Sequence, residues 1–509
     1  MCESAFLVAR KCFGPKKPEA SGDACDAHNP LLALLAILTD LGSAGPLKVT
    51  IGSLPDEVLI ELFELCVNGE EVEEWIRLAH VCQGWRHIIF SSPRRLDLRL
   101  LFKGKTLVRE MLDIWPALPI IIWPSNCETS QMEIADNVIA ALEHRDRVCD
   151  ISLDFNFPSS ELDRLMASMQ HPFPALTHLE LDFWLDDGTA AVIPDSFLGG
   201  STPLLEVLVL TDIVFPTLPN LLLSAKDLVE LSLFNIPDPG YISPETMATT
   251  LSSLSRLELL NLRFRSPRSR PSWASRRPPP MIRIVLPALK EFTFGGVNEY
   301  LEGLAAWIDA PLLKFVHITF FNQLIFDISQ LPHFISHIEN FEILDAEVSF
   351  WPDSASVQLA LKTGKGWQQM LLLDVSCTEA DWQLSSITQV CDLSFSHIST
   401  LENLSIGTPN PVHLGKHDIE QNQWLELLYP FTTVKNLYLD DAVGPRVSTA
   451  LQGLVGERAI QVLPALQNLA MKELQESGST WEALQPFVAA RRRFGYPIAV
   501  HRWEEVEAE

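Results

Sequence analysis

The 509-residue chain carries 65 acidic against 38 basic side chains, and its formal net charge of −27 repels phosphate backbones and anionic lipid head groups. Its 47% hydrophobic content supplies material for sizeable cores, enough for two to four ordinary domains or one solenoid with an appendage, and argues against global disorder. Nine cysteines, an odd number scattered from Cys2 to Cys391 with no Cys-x-x-Cys pair, point to free thiols in a reducing compartment.

Residues 1–48 read as a mostly flexible tail. Within it Leu31 to Leu38 is apolar but far shorter than the roughly 20 residues of a membrane span. It also lies too deep for a signal peptide and follows Asp23 and Asp26, the wrong charge for one. The expectation is a soluble protein, cytoplasmic and/or nuclear, with no nucleic-acid or membrane partner.

Residues 49–93 predict a small three-helix module. Ser53 is placed to cap a first helix whose opening turn holds Pro55, Asp56 and Glu57. Proline is tolerated there, and acids suit the positive end of the helix dipole. Val58, Leu59, Leu62, Phe63 and Cys66 are expected on one face, with Glu57, Glu61 and Glu64 largely opposite. After an acidic insertion (Glu70, Glu71, Glu73, Glu74), Trp75 to Val81 predicts a second helix and Trp85 to Phe90 a third. Cys82 reads as buried packing. About 40 residues hold little core of their own, so the apolar surface looks made for a partner.

From about residue 94 one pattern returns: Leu, two residues, an apolar residue, one residue, another apolar residue. It stands at Leu176-x-x-Leu179-x-Leu181 and then at starts Leu205, Leu228, Leu257, Leu289, Leu313, Leu401, Val434 and Leu466. An earlier copy begins at Val148, and a degenerate one is Phe341-x-x-Leu344. The spacing, low twenties to low thirties, is that of leucine-rich repeats. Alternation at the end of each unit makes a strand with its apolar side chains on one face. Pro174, Pro203, Pro287, Pro311 and Pro464 stop the preceding helix just before several of these strands. With helical stretches such as Ser160 to Met169, Glu299 to Ile308 and Trp382 to Val390 between strands, residues 94–509 predict an α/β solenoid of parallel sheet and helices. It should be irregular, because the Asn or Cys that regular repeats use after each strand is replaced by Trp184, Ile213, Ile236, Arg265 and Val297. Tyr496 to Trp503 predicts a closing strand.

Residues between the buried Leu positions face the expected concave surface. The candidate target-binding set is Asp154, His178, Glu180, Asp182, Glu230, Phe234, Asn261, Arg263, His317, Asn436 and Tyr438. Asp150, Ser152, Ser232, Phe315, Thr319 and Asp440 share that face. A mixed acidic and aromatic ladder suits a protein-binding surface. A carboxylate ladder for glycoside hydrolysis is the other chemistry it offers, countered by helical intervening segments. The Pro/Arg-rich segment 265–283, flanked by Arg263, reads as a loop able to meet an acidic or phosphorylated partner, or simply as a solvated insertion.

No Gly-rich phosphate loop, His-Glu-x-x-His or Gly-x-Ser-x-Gly motif is present. His333-x-x-x-His337 and His413-x-x-x-His417 each lack further zinc ligands nearby. The expectation is a protein without enzymatic activity, metal or cofactor.

Leu54-Pro55-x-Glu57-Val58-Leu59 followed by Val81-Cys82-x-x-Trp85-Arg86 resembles the F-box motif. The whole of residues 49–509, with its Ser92-Pro93-Arg94-Arg95-Leu96 junction, resembles the F-box/leucine-rich-repeat-like family expanded in mushroom-forming fungi. The resemblance implies that 49–93 is an F-box docking on the adaptor protein of an SCF-type (cullin–RING) ubiquitin ligase, and through it a cullin. Leu54, Pro55, Glu57, Val58, Leu59, Leu62, Phe63, Val81, Cys82 and Trp85 would carry that contact, and the solenoid would bind a target protein. The chain would be monomeric outside the complex. The alternative is a repeat scaffold that binds protein without ligase function.

Overall fold

The period-two apolar pattern is realised almost strand for strand. The computed structural model describes residues 54–502 except 68–73, 94, 104–107, 125–130, 156–157, 184–189, 268–282, 322, 324–325, 327, 336–344, 364–365, 396–400, 409–419, 455 and 473–477. The tail, Ser53, Phe341-x-x-Leu344, His337, both His413 and His417, and nearly all of the Pro/Arg-rich segment therefore lie outside the described residues. By internal contacts the chain divides into two compact units. One comprises residues up to 189 with Pro194–Leu205, and the other comprises Ala190–Ile193 with the residues from 206 on. The division falls inside the repeat array, and the helical module belongs to the first unit.

That unit opens with three helices, α1 (Asp56–Val67), α2 (Glu74–Val81) and α3 (Gln83–Ser91). Strands then alternate with helices: β1 (Leu100–Phe102), α4 (Val108–Ile114), β2 (Ile120–Ile122), α5 (Gln131–Leu142), β3 (Val148–Phe155), α6 (Ser159–Ser168) and β4 (His178–Phe183). All four strands are parallel neighbours in chain order. Ile151 lies against Leu179 and Leu153 against Leu181, all four fully buried. Each such side chain contributes about 1.5–3 kcal/mol through its removal from water. Strands β1 and β2 lie within the predicted 94–509 solenoid but ahead of its first repeat copy, at Val148. Leu100-Leu101-Phe102 and Ile120-Ile121-Ile122 are short unbroken apolar runs, which show no alternation to read.

In the second unit β5 (Ala191–Val192) pairs with β7 (Ile213–Val214), which follows β6 (Val207–Thr211) in the chain. After α7 (Leu218–Leu222) come β8 (Glu230–Ile236), α8 (Pro244–Leu251), β9 (Leu259–Phe264), the small pair β10 (Ile284–Val285) and β12 (Ile308–Asp309), β11 (Glu291–Gly296), α9 (Asn298–Ala305) and β13 (Phe315–Phe320). Helix α8 shows how these helices start: Pro244 supplies the first helical residue and the Ser243 hydroxyl accepts the Thr246 N–H at 3.2 Å. The inward rows are continuous, Leu208–Leu231–Leu260–Phe292–Val316 and Leu210–Leu233–Leu262–Phe294–Ile318.

The expectation of an all-parallel sheet fails next. Beyond α10 (Leu331–Ile335), β14 (Asp345–Phe350), β15 (Ser354–Thr363) and β16 (Gly366–Ser376) form an antiparallel meander inserted into the array. Only residues 351–353 join β14 to β15, too few for the crossover that a parallel neighbour requires. Strand β16 is parallel to β13, and β14 to β17 (Asn403–Gly407), so the sheet continues through the insertion. Helix α11 (Ala380–Phe395) follows, and then α12 (Gln421–Leu428), β18 (Asn436–Leu439), α13 (Gly444–Gln452), α14 (Arg458–Gln461), β19 (Asn468–Met471), α15 (Ser479–Arg493) and β20 (Ala499–Arg502) complete the parallel series.

Tyr300 of α9 is fully buried against Phe264, with ring centroids 4.6 Å apart, and its hydroxyl has no hydrogen-bond partner among the described residues. Desolvation holds its pKa well above the ordinary tyrosine value. An unpartnered buried hydroxyl costs about 1–3 kcal/mol. Tyr300→Phe is therefore expected to melt at the same temperature as the natural chain or higher, by differential scanning calorimetry. A clear loss of stability would mean that the hydroxyl has a stabilising role.

Candidate docking face and open sheet face

Helix α1 starts where Pro55 presents its carbonyl to the N–H groups of Val58 and Leu59, both at 3.1 Å. Asp56 and Glu57 stand in the first turn, favoured by the helix dipole. The apolar residues expected on a single face divide into two adjacent stripes. Leu59 and Phe63 point into the module, where the Phe63 ring meets Trp85 at 4.7 Å between centroids. Val58 is 39% exposed and Leu65 71%, with Leu62 half-buried on the same i, i+4, i+7 stripe. Leu54 is half-buried, and Pro55, Glu57 and Cys82 are exposed, as is Val81 at 56%.

The ten motif residues thus fall into two groups. Leu59, Phe63 and Trp85 are interior and hold the helices together. Leu54, Pro55, Glu57, Val58, Leu62, Val81 and Cys82 remain at or near the surface. Cys82 corrects the packing expectation: the corner between α2 and α3 needs an extended residue, and its Sγ accepts the Trp85 N–H at 3.4 Å as an N-cap. Leu65 was missed, although its spacing from Val58 and Leu62 carries the signal.

The module is braced on the first repeat of its own unit. Trp75, fully buried, donates from Nε1 to the Arg99 carbonyl at 3.0 Å and meets Trp115 edge-on at 5.3 Å. Phe90 and His80 also pack on Trp115. Burial, followed by the Arg86 charge, lowers the His80 pKa.

On the strands, most residues alternating with the core remain half-exposed. In the first unit Asp150 lies across from His178, Ser152 from Glu180 and Asp154 from Asp182. The Ser152 hydroxyl donates to Glu180 at 2.8 Å. Desolvation raises the Asp150 pKa, with Glu180 adding to it while His178 and Arg99 oppose it.

In the second unit the Ser232 hydroxyl donates to Glu230 at 3.0 Å, and Ser232 and Asn261 are buried neighbours. The Arg263 guanidinium lies 5.8 Å from the Phe234 ring centroid. His317 Nε2 is 2.8 Å from Asp374 Oδ2, with the Thr319 hydroxyl 3.3 Å from the same nitrogen. Asp374 escaped sequence reading because it sits on the inserted β16. Asn436 is the middle rung of an amide ladder, accepting from Asn468 and donating to Asn403, both at 2.7 Å. Its signal was a recurring Asn-Leu in Asn403-Leu404, Asn436-Leu437 and Asn468-Leu469. Tyr438 lies across from Ser405 and Ala470. Asp440 is no free surface group: its carboxylate accepts the N–H groups of Thr408, Ala442 and Val443, bracing the loop as a repeat Asn would. The candidates therefore form local pairs on strands, not one converging catalytic cluster.

Each unit is accordingly a mixed α/β array of leucine-rich-repeat type. No family model and no curated protein matches the chain. Among solved structures it is similar to the leucine-rich repeat-containing protein LegL7 from Legionella pneumophila, at 13% identity over 76% of this chain and 97% of that one, with a TM-score of 0.24.

Proposed function

We propose that this chain is a protein-interaction scaffold and, more specifically, the target-recognition subunit of an SCF-type ubiquitin ligase. In this reading it is an F-box protein of the kind expanded in mushroom-forming fungi. It works in the cytoplasm or nucleus and makes no bonds itself. The helical module holds the ligase adaptor, and through it a cullin, while the open sheet faces hold a target. Ubiquitin transfer then depends on proximity and orientation.

The observation that carries this reading is the second stripe of α1. Leu59, Phe63, Ile76, Leu78, Trp85, Ile88 and Ile89 already fill the interior of the module. Leu54, Pro55, Val58, Leu62 and Leu65, with Val81 on α2, add an apolar surface that a module this small does not need for its own fold. It coincides with Leu-Pro-x-Glu-Val-Leu and Val-Cys-x-x-Trp, the motif the family uses for docking. Purified chain is expected to capture the adaptor in a pull-down, and the Leu54→Ala/Pro55→Ala double variant to lose it. A double variant that still binds would remove the docking assignment, and a folded natural chain that never binds would leave a scaffold without ligase function.

A further inference from the structure

We propose that Arg263 and Asn261 on β9 form a recognition site for the carboxylate of an acidic side chain in a bound, extended polypeptide. This deepens the reading of the open sheet face as a target-binding surface and rests on it.

Arg263 stands out by its lack of a polar partner. Nearby cations are matched: Arg256 with Asp227 at 2.9 Å, Arg265 with Asp212 at 3.6 Å and Lys290 with Glu258 at 2.5 Å. The Arg263 guanidinium makes neither an ion pair nor a hydrogen bond among the described residues; it contacts the Phe234 ring, and its buried Nε has no acceptor. Two positions earlier on the same face, Asn261 is only 9% exposed, and its side-chain oxygen is likewise buried and unpartnered. In a chain of net charge −27, an arginine with no carboxylate partner among the described residues is an unusual arrangement.

The surroundings leave the Nη groups of Arg263 accessible. On one side the β8–β9 register shifts after Leu233, and Asn235 takes a φ of 50°, so that Phe234 lies beside the guanidinium. On the other side the residue opposite Arg263 is Gly295. A Cβ there would stand 3.2 Å from Arg263 Cγ, so glycine leaves room for the arginine stem. Thr293 and Thr319, one strand and two strands away, are half-exposed on the same face.

The ring and the bare backbone present the guanidinium with its N–H groups unspent. A planar carboxylate accepts two parallel N–H bonds from the Nη end of such a fork, and the Asn261 Nδ2 group can donate a further one. A phosphate dianion fits less well, because one cation in so acidic a chain neutralises only part of its charge.

The test titrates full-length chain with three pentapeptides, acetyl-Gly-Gly-X-Gly-Gly-amide, where X is glutamate, phosphoserine or glutamine. The readout is the Arg263 side-chain Nε–H resonance, assigned by its loss in Arg263→Lys. The glutamate peptide should move this resonance and bind at least about tenfold more tightly than the glutamine peptide. Arg263→Gln should abolish that preference. Asn261→Ala and Gly295→Ala, which keep the charge, should reduce it. Equal affinities, a preference that survives Arg263→Gln, or tighter binding of the phosphoserine peptide would overturn the proposal. Adaptor capture is scored on the same samples. Lost selectivity with capture intact counts against the Arg263 site alone, and lost capture with selectivity intact counts against the docking module alone.

Discussion

Arg491→Met is expected to lower the stability of the second unit by about 3–5 kcal/mol. Arg491, on α15, is fully buried, and no carboxylate among the described residues pairs with its charge. Its Nη1 donates to the carbonyls of Ala459, Val462 and Leu463, and its Nη2 to those of Pro464 and Leu466, at 3.1–3.3 Å. Those five carbonyls belong to α14 and the chain leading into β19, where Leu463 takes a left-handed φ of 47° and the helix has ended. One fork thus satisfies the orphaned acceptors of a helix end and ties α15 over the last repeats. Methionine fills similar volume but removes this donor from all five carbonyls, of which that of Leu463 keeps the Leu466 N–H at 3.0 Å. Lysine has the charge but a single ammonium that cannot span five acceptors, so Arg491→Lys should recover only part of the loss. Urea unfolding followed by hydrogen exchange within residues 444–502 measures both variants. An Arg491→Met chain as stable there as the natural one would refute the role of the fork.

The second large effect is expected at Trp75, where alanine should cost about 3–5 kcal/mol, confined to the first unit. Trp75 combines three roles. It fills the junction of α2 with the first repeat, packs edge-on against Trp115 and Phe90, and satisfies the Arg99 carbonyl just before β1. Because α1 is held partly by α2, its removal should also loosen the docking face and weaken adaptor capture. Trp75→Phe retains most of the volume and should lose little more than the hydrogen bond, about 1 kcal/mol. Hydrogen-exchange protection across residues 56–102 distinguishes the two. Protection unchanged by Trp75→Ala would contradict the brace.

Much of this architecture was legible in sequence because burial on strands repeats with period two. The copies starting at Val148, Leu176, Leu205, Leu228, Leu257, Leu289, Leu313, Leu401, Val434 and Leu466 all carry strands. The inserted meander was not legible, for a physical reason. Ala355, Val357 and Leu359 alternate just as Leu371, Leu373 and Val375 do, and alternation carries no strand direction. Only the brevity of residues 351–353 signals an antiparallel return. The docking module showed a similar limit. Spacing places Val58, Leu59, Leu62 and Phe63 on one broad face, but which stripe turns inward depends on where Trp85 arrives from another helix. The state of Arg263 depends on Gly295, 32 positions further along and one strand away. Such a neighbour becomes visible only once the register is known.

Adaptor binding through the outward stripe of α1 and Val81 is the proposal on which the ligase role rests. Calorimetric titration of the purified chain with that adaptor, comparing the natural sequence with a Val58→Glu/Val81→Glu variant, tests it most directly. Both residues are exposed, so the melting temperature should stay unchanged while the dissociation constant rises by at least about 100-fold, since each charge would be buried unpaired in the interface. Equal affinity in the two chains, with equal melting, would contradict it.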